Sequence, residues 1–218
     1  REVNPTGMND YIVFILGGIG ITLGVTLIAL PMGFVVGLLL ALVRIYGPGW
    51  AKWIVGIYST VMRGIPPIVL LFLLYFLMSG AINLSPFMAG SLSLGIISSA
   101  YQLEILRGAF LSVSGGQLMA ARAVGMTRIQ AIQHIMLPQA LRLAIPPWSN
   151  EVANLIKDSS LVYALGVPEI LRRAQNVSAA TNQFFLAFGI AALVYFLLVF
   201  SSNRLLDWIE QKTRIPAF

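Results

Sequence analysis

The sequence predicts an all-α integral membrane protein: five transmembrane helices, with a cytoplasmic helical hairpin between the third and the fourth. Of the 218 residues, 58% are hydrophobic and only 10% are charged, far from the composition of a water-soluble domain. Uncharged runs cover residues 11–43, 64–103 and 174–203, and each is long enough for at least one span of about 20 residues. A polar segment interrupts them at about 114–140. We expect one transmembrane domain over 1–218.

Turn formers and length divide the apolar runs into spans. The middle run contains SGAINLSP, which separates the end of one helix from the start of the next. The first run is too long for the apolar core of a signal peptide and lacks a small-residue cleavage site, so we expect it to be retained. The predicted spans are residues 11–42, 53–78, 87–109, 143–165 and 184–206.

The distribution of basic residues predicts the orientation. With five spans, the first loop, the polar segment and the C-terminal tail (about 207–218) share one side of the membrane, and they hold most lysines and arginines. The other side holds only Arg1, Arg172 and Arg173. The positive-inside rule therefore predicts a cytoplasmic hairpin and C-terminus and an external N-terminus. It also explains the net charge of +6 without nucleic acid as a partner.

Glycines and prolines predict how the spans pack and bend. The sequences GITLG at 20–24 and GFVVG at 33–37 have the small-xxx-small spacing that lets helix backbones approach closely. Pro31 and the proline pairs at 66–67 and 146–147 remove helix hydrogen bonds, so each should kink or break its span.

The polar segment is predicted to form two short helices. Ser114 with Gln117, and Thr127 with Gln130, have capping-box spacing, in which the two side chains satisfy each other's backbone donors.

The two hairpin helices should end at Gly125 and just before Pro138. A DNA-binding helix-turn-helix has the same outline, but the tether between two spans argues against docking into a major groove. A plain connecting loop is the other alternative. Small side chains on the first helix would let a partner's groove close around it; these are Ala120, Ala121 and Ala123.

The hairpin sequence MAARAVGMTRIQAIQHIMLP resembles the EAA motif of ABC-importer membrane subunits, with Met119 in place of the glutamate. MRGIPPIVLLFLLYF, AYQLEILRGAF and NEVANLIKDSSL are similar, in order and spacing, to permeases of the polar amino-acid (histidine, glutamine and arginine type) importers. The resemblance covers nearly the whole chain. The residues at the motif's positions, with the neighbouring arginine, are Ala120, Ala121, Arg122, Gly125, Ile135, Leu137 and Pro138.

This resemblance implies a type I importer in a prokaryotic plasma membrane. Two permease subunits, identical or paralogous, form the pathway; two ABC ATPases receive the hairpins, and an extracytoplasmic binding protein delivers a polar amino acid. ATP and Mg would be held by the ATPases, and we expect no cofactor, metal or catalytic residue in this chain. Accordingly, the sequence lacks a G-x-x-x-x-G-K-[ST] loop, cysteines, and HExxH or GxSxG patterns.

Polar residues in the fourth span predict a transport pathway. One helical stripe holds Asn150, Glu151, Asn154, Lys157, Asp158 and Leu161. Such a stripe should line a cavity or a subunit interface, and a break at 146–147 would free helix ends there. Its three ionisable residues sum to one negative charge, which favours basic amino acids (arginine, lysine or histidine), although the stripe could equally serve the architecture. The predicted pathway residues are Asn150, Glu151, Asn154, Asp158 and Arg63.

Four polar sites have simpler interpretations. Arg63 could meet a substrate carboxylate, but pairing with an acid is favoured. Glu104 and Arg107 should neutralise each other, and Tyr101 should pack. Residues 168–183 are predicted to form an amphipathic helix on the outer surface.

Two other functions remain alternatives. One is a glutamine- or glutamate-type ABC permease. The other is an ion-coupled secondary transporter, against which the absence of visible inverted repeats argues.

Overall fold

The computed structural model describes residues 7–81, 83–113 and 115–213, and every regular element in these ranges is helical. A five-residue π turn, Ile132–Met136, and a 3₁₀ turn, Ser159–Leu165, flank the eighth α-helix. The α-helices are α1 Met8–Leu16, α2 Ile19–Tyr46, α3 Gly49–Gly64, α4 Pro67–Ala81, α5 Pro86–Ser112, α6 Gly115–Ala123, α7 Arg128–Ala131, α8 Leu137–Asp158, α9 Ile170–Thr181 and α10 Phe184–Thr213.

Helix α5 lies at the centre and packs against α2, α3, α4 and α8. Its closest approach is to α2, where a Cβ atom at Gly37 would lie 3.0 Å from both Leu103 N and Ser99 O. Gly33 is in the same position relative to α5, so the predicted close packing at 33–37 is confirmed. Gly20, in the other glycine pattern, has no atom within 4 Å of such a Cβ and lies exposed.

Helices α2 and α5 run parallel. Gly24, early in α2, faces the ring of Phe87 at the start of α5, and Gly37 faces Leu103 further along both helices. Two parallel helices in one chain need a connection that returns along their length. The segment α3–α4 must therefore carry the chain back to the end of the bundle at which α2 begins.

That returning segment is not straight. Helices α3 and α4 meet at Ile65 and Pro66 with a bend of 114°. The break predicted at the proline pair 66–67 is confirmed, so the predicted span 53–78 is two helices rather than one.

The expected break of α8 at residues 146–147 is wrong. Both prolines lie inside a helix that continues from Leu137 to Asp158, and Pro31 likewise lies inside α2. Helix α8 packs along α5 and α10, and neighbouring helices can hold a membrane helix together across missing hydrogen bonds. No helix ends are freed at this point.

Among the described residues, two helices are long and apolar enough to cross a membrane: Met8–Tyr46, taken through its break, and Phe184–Thr213. The bent pair Gly49–Gly64 and Pro67–Met78 would be a third if it forms one span. Helix α5 is surrounded by other helices, so it can carry polar residues, and α8 has a polar face. These polar residues make both helices less apolar than the two counted above. The count of five crossings stays a prediction.

Candidate transport pathway and coupling hairpin

A cavity of about 260 Å³ opens between α5 and α8. Helix α8 supplies a carboxylate-bearing wall, and α5 supplies the opposite wall with one hydroxyl and one phenol group. The lining residues are Leu94, Ile97, Ser98, Tyr101, Glu151, Asn154, Leu155, Lys157 and Asp158.

The cavity includes three of the four pathway residues predicted on α8. Glu151, Asn154 and Asp158 line it, and Lys157 lies beside them. Asn150 is exposed and is not among the residues that line this cavity, so its place in the pathway stays a prediction. With about 100° of rotation per residue, Asn150 shares the face of α8 that carries Asn154 and Lys157, and it lies one turn before Asn154 along the helix.

Glu151 is held by a chain of hydrogen bonds that the sequence did not predict. Its carboxylate accepts from the Ser98 hydroxyl at 2.5 Å, and Ser98 accepts from the Gln102 amide at 3.0 Å. The Gln102 oxygen accepts from the Trp148 indole at 2.8 Å, and its amide also donates to the Leu30 carbonyl at 3.2 Å. These contacts join α2, α5 and α8 directly behind the cavity. Ser98 and Gln102, four positions apart in an apolar span, were the available signal.

The lining carries one net negative charge, from Glu151, Asp158 and Lys157. Glu151 is only 6% exposed, and the hydroxyl of Ser98 is its direct partner. A buried carboxylate in a partly polar cavity attracts a cation, because the low dielectric strengthens the interaction. Tyr101, expected to pack, packs against the core and also lines the cavity.

Arg63 pairs with an acid, as the sequence favoured. Its guanidinium lies 4.0 Å from the Glu104 carboxylate, which Arg107 contacts at 2.8 Å and Ser59 donates to at 2.8 Å. The predicted neutralisation of Glu104 by Arg107 is therefore present, with Arg63 as a second cation. Arg63 does not line the cavity.

The first hairpin helix ends in a Schellman motif. Gly125 has φ of +85°, Met126 N donates to Ala121 O at 3.1 Å, and Gly125 N donates to Arg122 O at 3.1 Å. The predicted end at Gly125 is confirmed.

The second hairpin helix begins with the predicted capping box. Thr127 N donates to Gln130 Oε1 at 2.9 Å, and Gln130 N donates to Thr127 Oγ1 at 3.3 Å. The other predicted box depends on Ser114, which lies outside the described residues.

The predicted end of this helix before Pro138 is wrong. A π turn at Ile132–Met136 joins α7 to α8, and Leu137 donates its backbone N–H to the carbonyl five residues earlier. The Ile135 carbonyl accepts the Gln139 side-chain amide at 2.9 Å. The wider turn lets the chain pass Pro138 as the start of α8 without ending the helix.

One of the three alanines expected to be exposed is buried. Ala120 and Ala123 are exposed, but Ala121 is 5% exposed, because α6 packs against α7 and the π turn. Met119 and Val124 add exposed apolar surface. Of the other predicted coupling residues, Arg122, Gly125 and Pro138 are exposed, and Ile135 and Leu137 are half-buried.

The amphipathic helix predicted between the last spans is α9, and a buried carboxylate fixes its start. Glu169 is fully buried; it accepts from two backbone N–H groups of the first turn at 2.7 and 2.6 Å and from Tyr195 OH at 2.6 Å. Arg173 donates to the Phe14 carbonyl at 2.9 Å and so attaches α9 to α1.

The apolar helices enclose a polar cavity, and a capped hairpin is joined to one wall of that cavity. This arrangement is typical of a helical membrane transport subunit. Residues 33–215 match the family described as binding-protein-dependent transport system inner membrane component. The chain belongs to this family.

Individual relatives agree with that assignment. The putative glutamine transport system permease protein GlnP of Rickettsia typhi is 35% identical over 203 residues, covering 92% of this chain and 93% of the relative. The L-cystine transport system permease protein TcyB of Bacillus subtilis is 33% identical over 198 residues, covering 90% and 85%. A crystal structure of an amino acid ABC transporter with histidines superimposes with a TM-score of 0.85 at 32% identity, covering 97% of this chain and all of that chain.

Proposed function

We propose that this chain is the permease subunit of an ABC importer for polar amino acids and that it prefers basic ones: arginine, lysine or histidine. The observation that carries the preference is the net negative charge of the cavity between α5 and α8. The α-ammonium group or a cationic side chain would approach Glu151 and Asp158. Asn154 offers a further hydrogen-bonding group on the same wall.

The hairpin of α6 and α7 would contact a separate ABC ATPase. It is capped at its internal turn and exposes small and apolar side chains there, Ala120, Ala123 and Val124 among them. ATP and Mg would be held by that ATPase. We expect a complex of two ATPases, two permease subunits and an extracytoplasmic binding protein.

The connection between hairpin and cavity suggests how the two are coupled. The chain is helical without a break from Arg128 through the π turn to Asp158. A displacement of the hairpin by the ATPases would therefore move the cavity wall that bears Glu151. Substrate must bind the two resulting states unequally for the movement to drive transport.

A glutamine-type permease is the second candidate, because the Rickettsia relative is named a glutamine transport system permease. Uptake by the complex in proteoliposomes, with labelled arginine, lysine, histidine, glutamine and glutamate, separates the two. The proposal predicts ATP-dependent uptake of a basic amino acid. Preferential glutamine uptake would favour the second candidate, and uptake driven by an ion gradient without ATPase partners would contradict both.

The role of Glu151 has its own test. Glu151→Gln keeps the shape but removes the charge, so we expect KM for the basic substrate to rise about tenfold or more, in line with the strength of hydrogen bonds to charged groups. Glu210→Gln removes a carboxylate from the far end of α10, outside the cavity, and is the matched control. Equal kinetics of the two variants would remove Glu151 from the site.

A further inference from the structure

A second groove lies between the end of α2 and the length of α3, away from the transport cavity. Its volume is about 330 Å³. Its lining is one guanidinium group followed by mainly apolar side chains; the residues are Arg44, Trp53, Gly56, Ile57, Thr60 and Val61.

Arg44 is fixed at one end of this groove. Its guanidinium donates to the Lys52 carbonyl and lies against Gly56, where a Cβ atom would come within 2.8 Å of it. The ion pairs formed by the described residues, both of which involve Glu104, do not include Arg44. A guanidinium has five N–H donors, so most of them remain for an anion.

The remainder of the groove is shaped for hydrocarbon. Ile57 and Val61 are 43% and 46% exposed. Both line the groove along one side of α3, beyond the end at which Arg44 lies. From Trp53 to Val61 the helix rises about 12 Å. Trp53, which lines the groove with Arg44, and Trp50, about one turn earlier in α3, are both exposed, as is typical of tryptophans at a membrane–water interface.

We propose that this groove binds one anionic phospholipid. The phosphate group would accept hydrogen bonds from Arg44, and an acyl chain would lie along Ile57 and Val61. A free anion would use only the polar end and leave the apolar length uncovered. Basic pockets between membrane helices bind anionic headgroups in this manner, and the positive-inside prediction puts the groove at the cytoplasmic leaflet.

The test is native mass spectrometry of the full chain, purified with its natural partners. The complex is exchanged into micelles containing equal amounts of phosphatidylglycerol and phosphatidylcholine with the same acyl chains. We expect retention of phosphatidylglycerol over phosphatidylcholine by about fivefold, the scale of one basic residue at an anionic surface. Arg44→Gln should make retention of the two lipids equal. Excess inorganic phosphate should leave the lipid bound, and displacement would assign the site to a free anion.

Two further variants keep the test decisive. Thr60→Trp fills the apolar length but leaves Arg44 and its contacts, so it should lower retention even if Arg44→Gln is unstable. Arg204→Gln is the matched control, because Arg204 lies beside Asp207 and Glu210, which offset its charge.

Three further results would overturn the proposal. The first is an equal loss of phosphatidylglycerol in Arg44→Gln and Arg204→Gln, which would indicate a general charge effect. The second is unchanged lipid selectivity in both Arg44→Gln and Thr60→Trp. The third is an efficient disulfide between copies carrying Ile57→Cys, in a chain that has no native cysteine, because a second copy would then cover the groove.

Discussion

Gly125 holds the turn of the hairpin in a conformation that other residues adopt at a cost. Its φ is +85°, and a Cβ atom there would meet nothing within 4 Å, so the constraint is backbone strain and not space. A β-branched residue should cost about 1–2 kcal/mol or more in this region, whereas asparagine tolerates it better. We expect Gly125→Val to separate ATP hydrolysis from uptake and Gly125→Asn to keep most coupling, measured as substrate transported per ATP hydrolysed. If both variants transport normally, the turn has no part in coupling.

Gly37 shows the opposite constraint, which is space. It is buried where α2 meets the backbone of α5, so Gly37→Leu should overpack this contact at a cost of about 1–3 kcal/mol or more. Gly20→Leu, on the exposed side of the same helix, is the control. The melting temperature in detergent should fall for the first variant and stay within error for the second. A similar decrease for both would mean that the loss does not depend on the contact with α5.

Residue positions on one helix were more predictable than contacts between helices. Periodicity placed Glu151, Asn154 and Asp158 on one wall, and it also included Asn150, which does not line the cavity. The hydrogen bonds that hold Glu151 could not be predicted, because Ser98 is 53 positions away and its place opposite Glu151 depends on how α5 and α8 pack.

At the scale of elements, the π turn Ile132–Met136 sets the rotation of the hairpin about α8. A π turn is equivalent to one residue inserted into an α-helix, so removing Gln133 should restore the α-helical pattern and rotate the hairpin by about 100°. We expect this deletion to abolish ATP-driven uptake while the bundle stays folded. Gln133→Ala keeps the register of an exposed side chain and should transport normally. Normal uptake in the deletion variant would show that the rotation is irrelevant to coupling.

Helix boundaries show the same difference between features that depend on nearby residues and features that depend on the rest of the fold. The Schellman end at Gly125 and the capping box at Thr127 depend on neighbours within a few residues, so the sequence was sufficient to predict them. The fate of Pro138 depends on the wider π turn that precedes it, and the fate of the pair at 146–147 depends on packing against α5 and α10.

At the scale of the whole molecule, the parallel packing of α2 and α5 constrains the topology. If α3 and α4 together cross the membrane, five crossings result, and Gly7 and the hairpin lie on opposite sides. If the bent pair enters and returns on the same side, Gly7 and the hairpin lie on the same side. The parallel arrangement favours the crossing, since α5 starts at the level where α2 starts.

Because the chain contains no cysteine, single introduced thiols can report these sides without background. We expect a membrane-impermeant maleimide to label Gly7→Cys and Gln175→Cys in intact cells. It should label Gln117→Cys and Gln211→Cys only after permeabilisation, since the positive-inside rule puts the hairpin and the end of α10 in the cytoplasm. All four positions are exposed or half-buried in the structure, so a lack of labelling in intact cells reports the side and not burial. Labelling of Gly7→Cys and Gln117→Cys under the same condition would mean that α3 and α4 form a re-entrant pair. Gly7 and the hairpin would then lie on the same side of the membrane, and the predicted external N-terminus would be wrong.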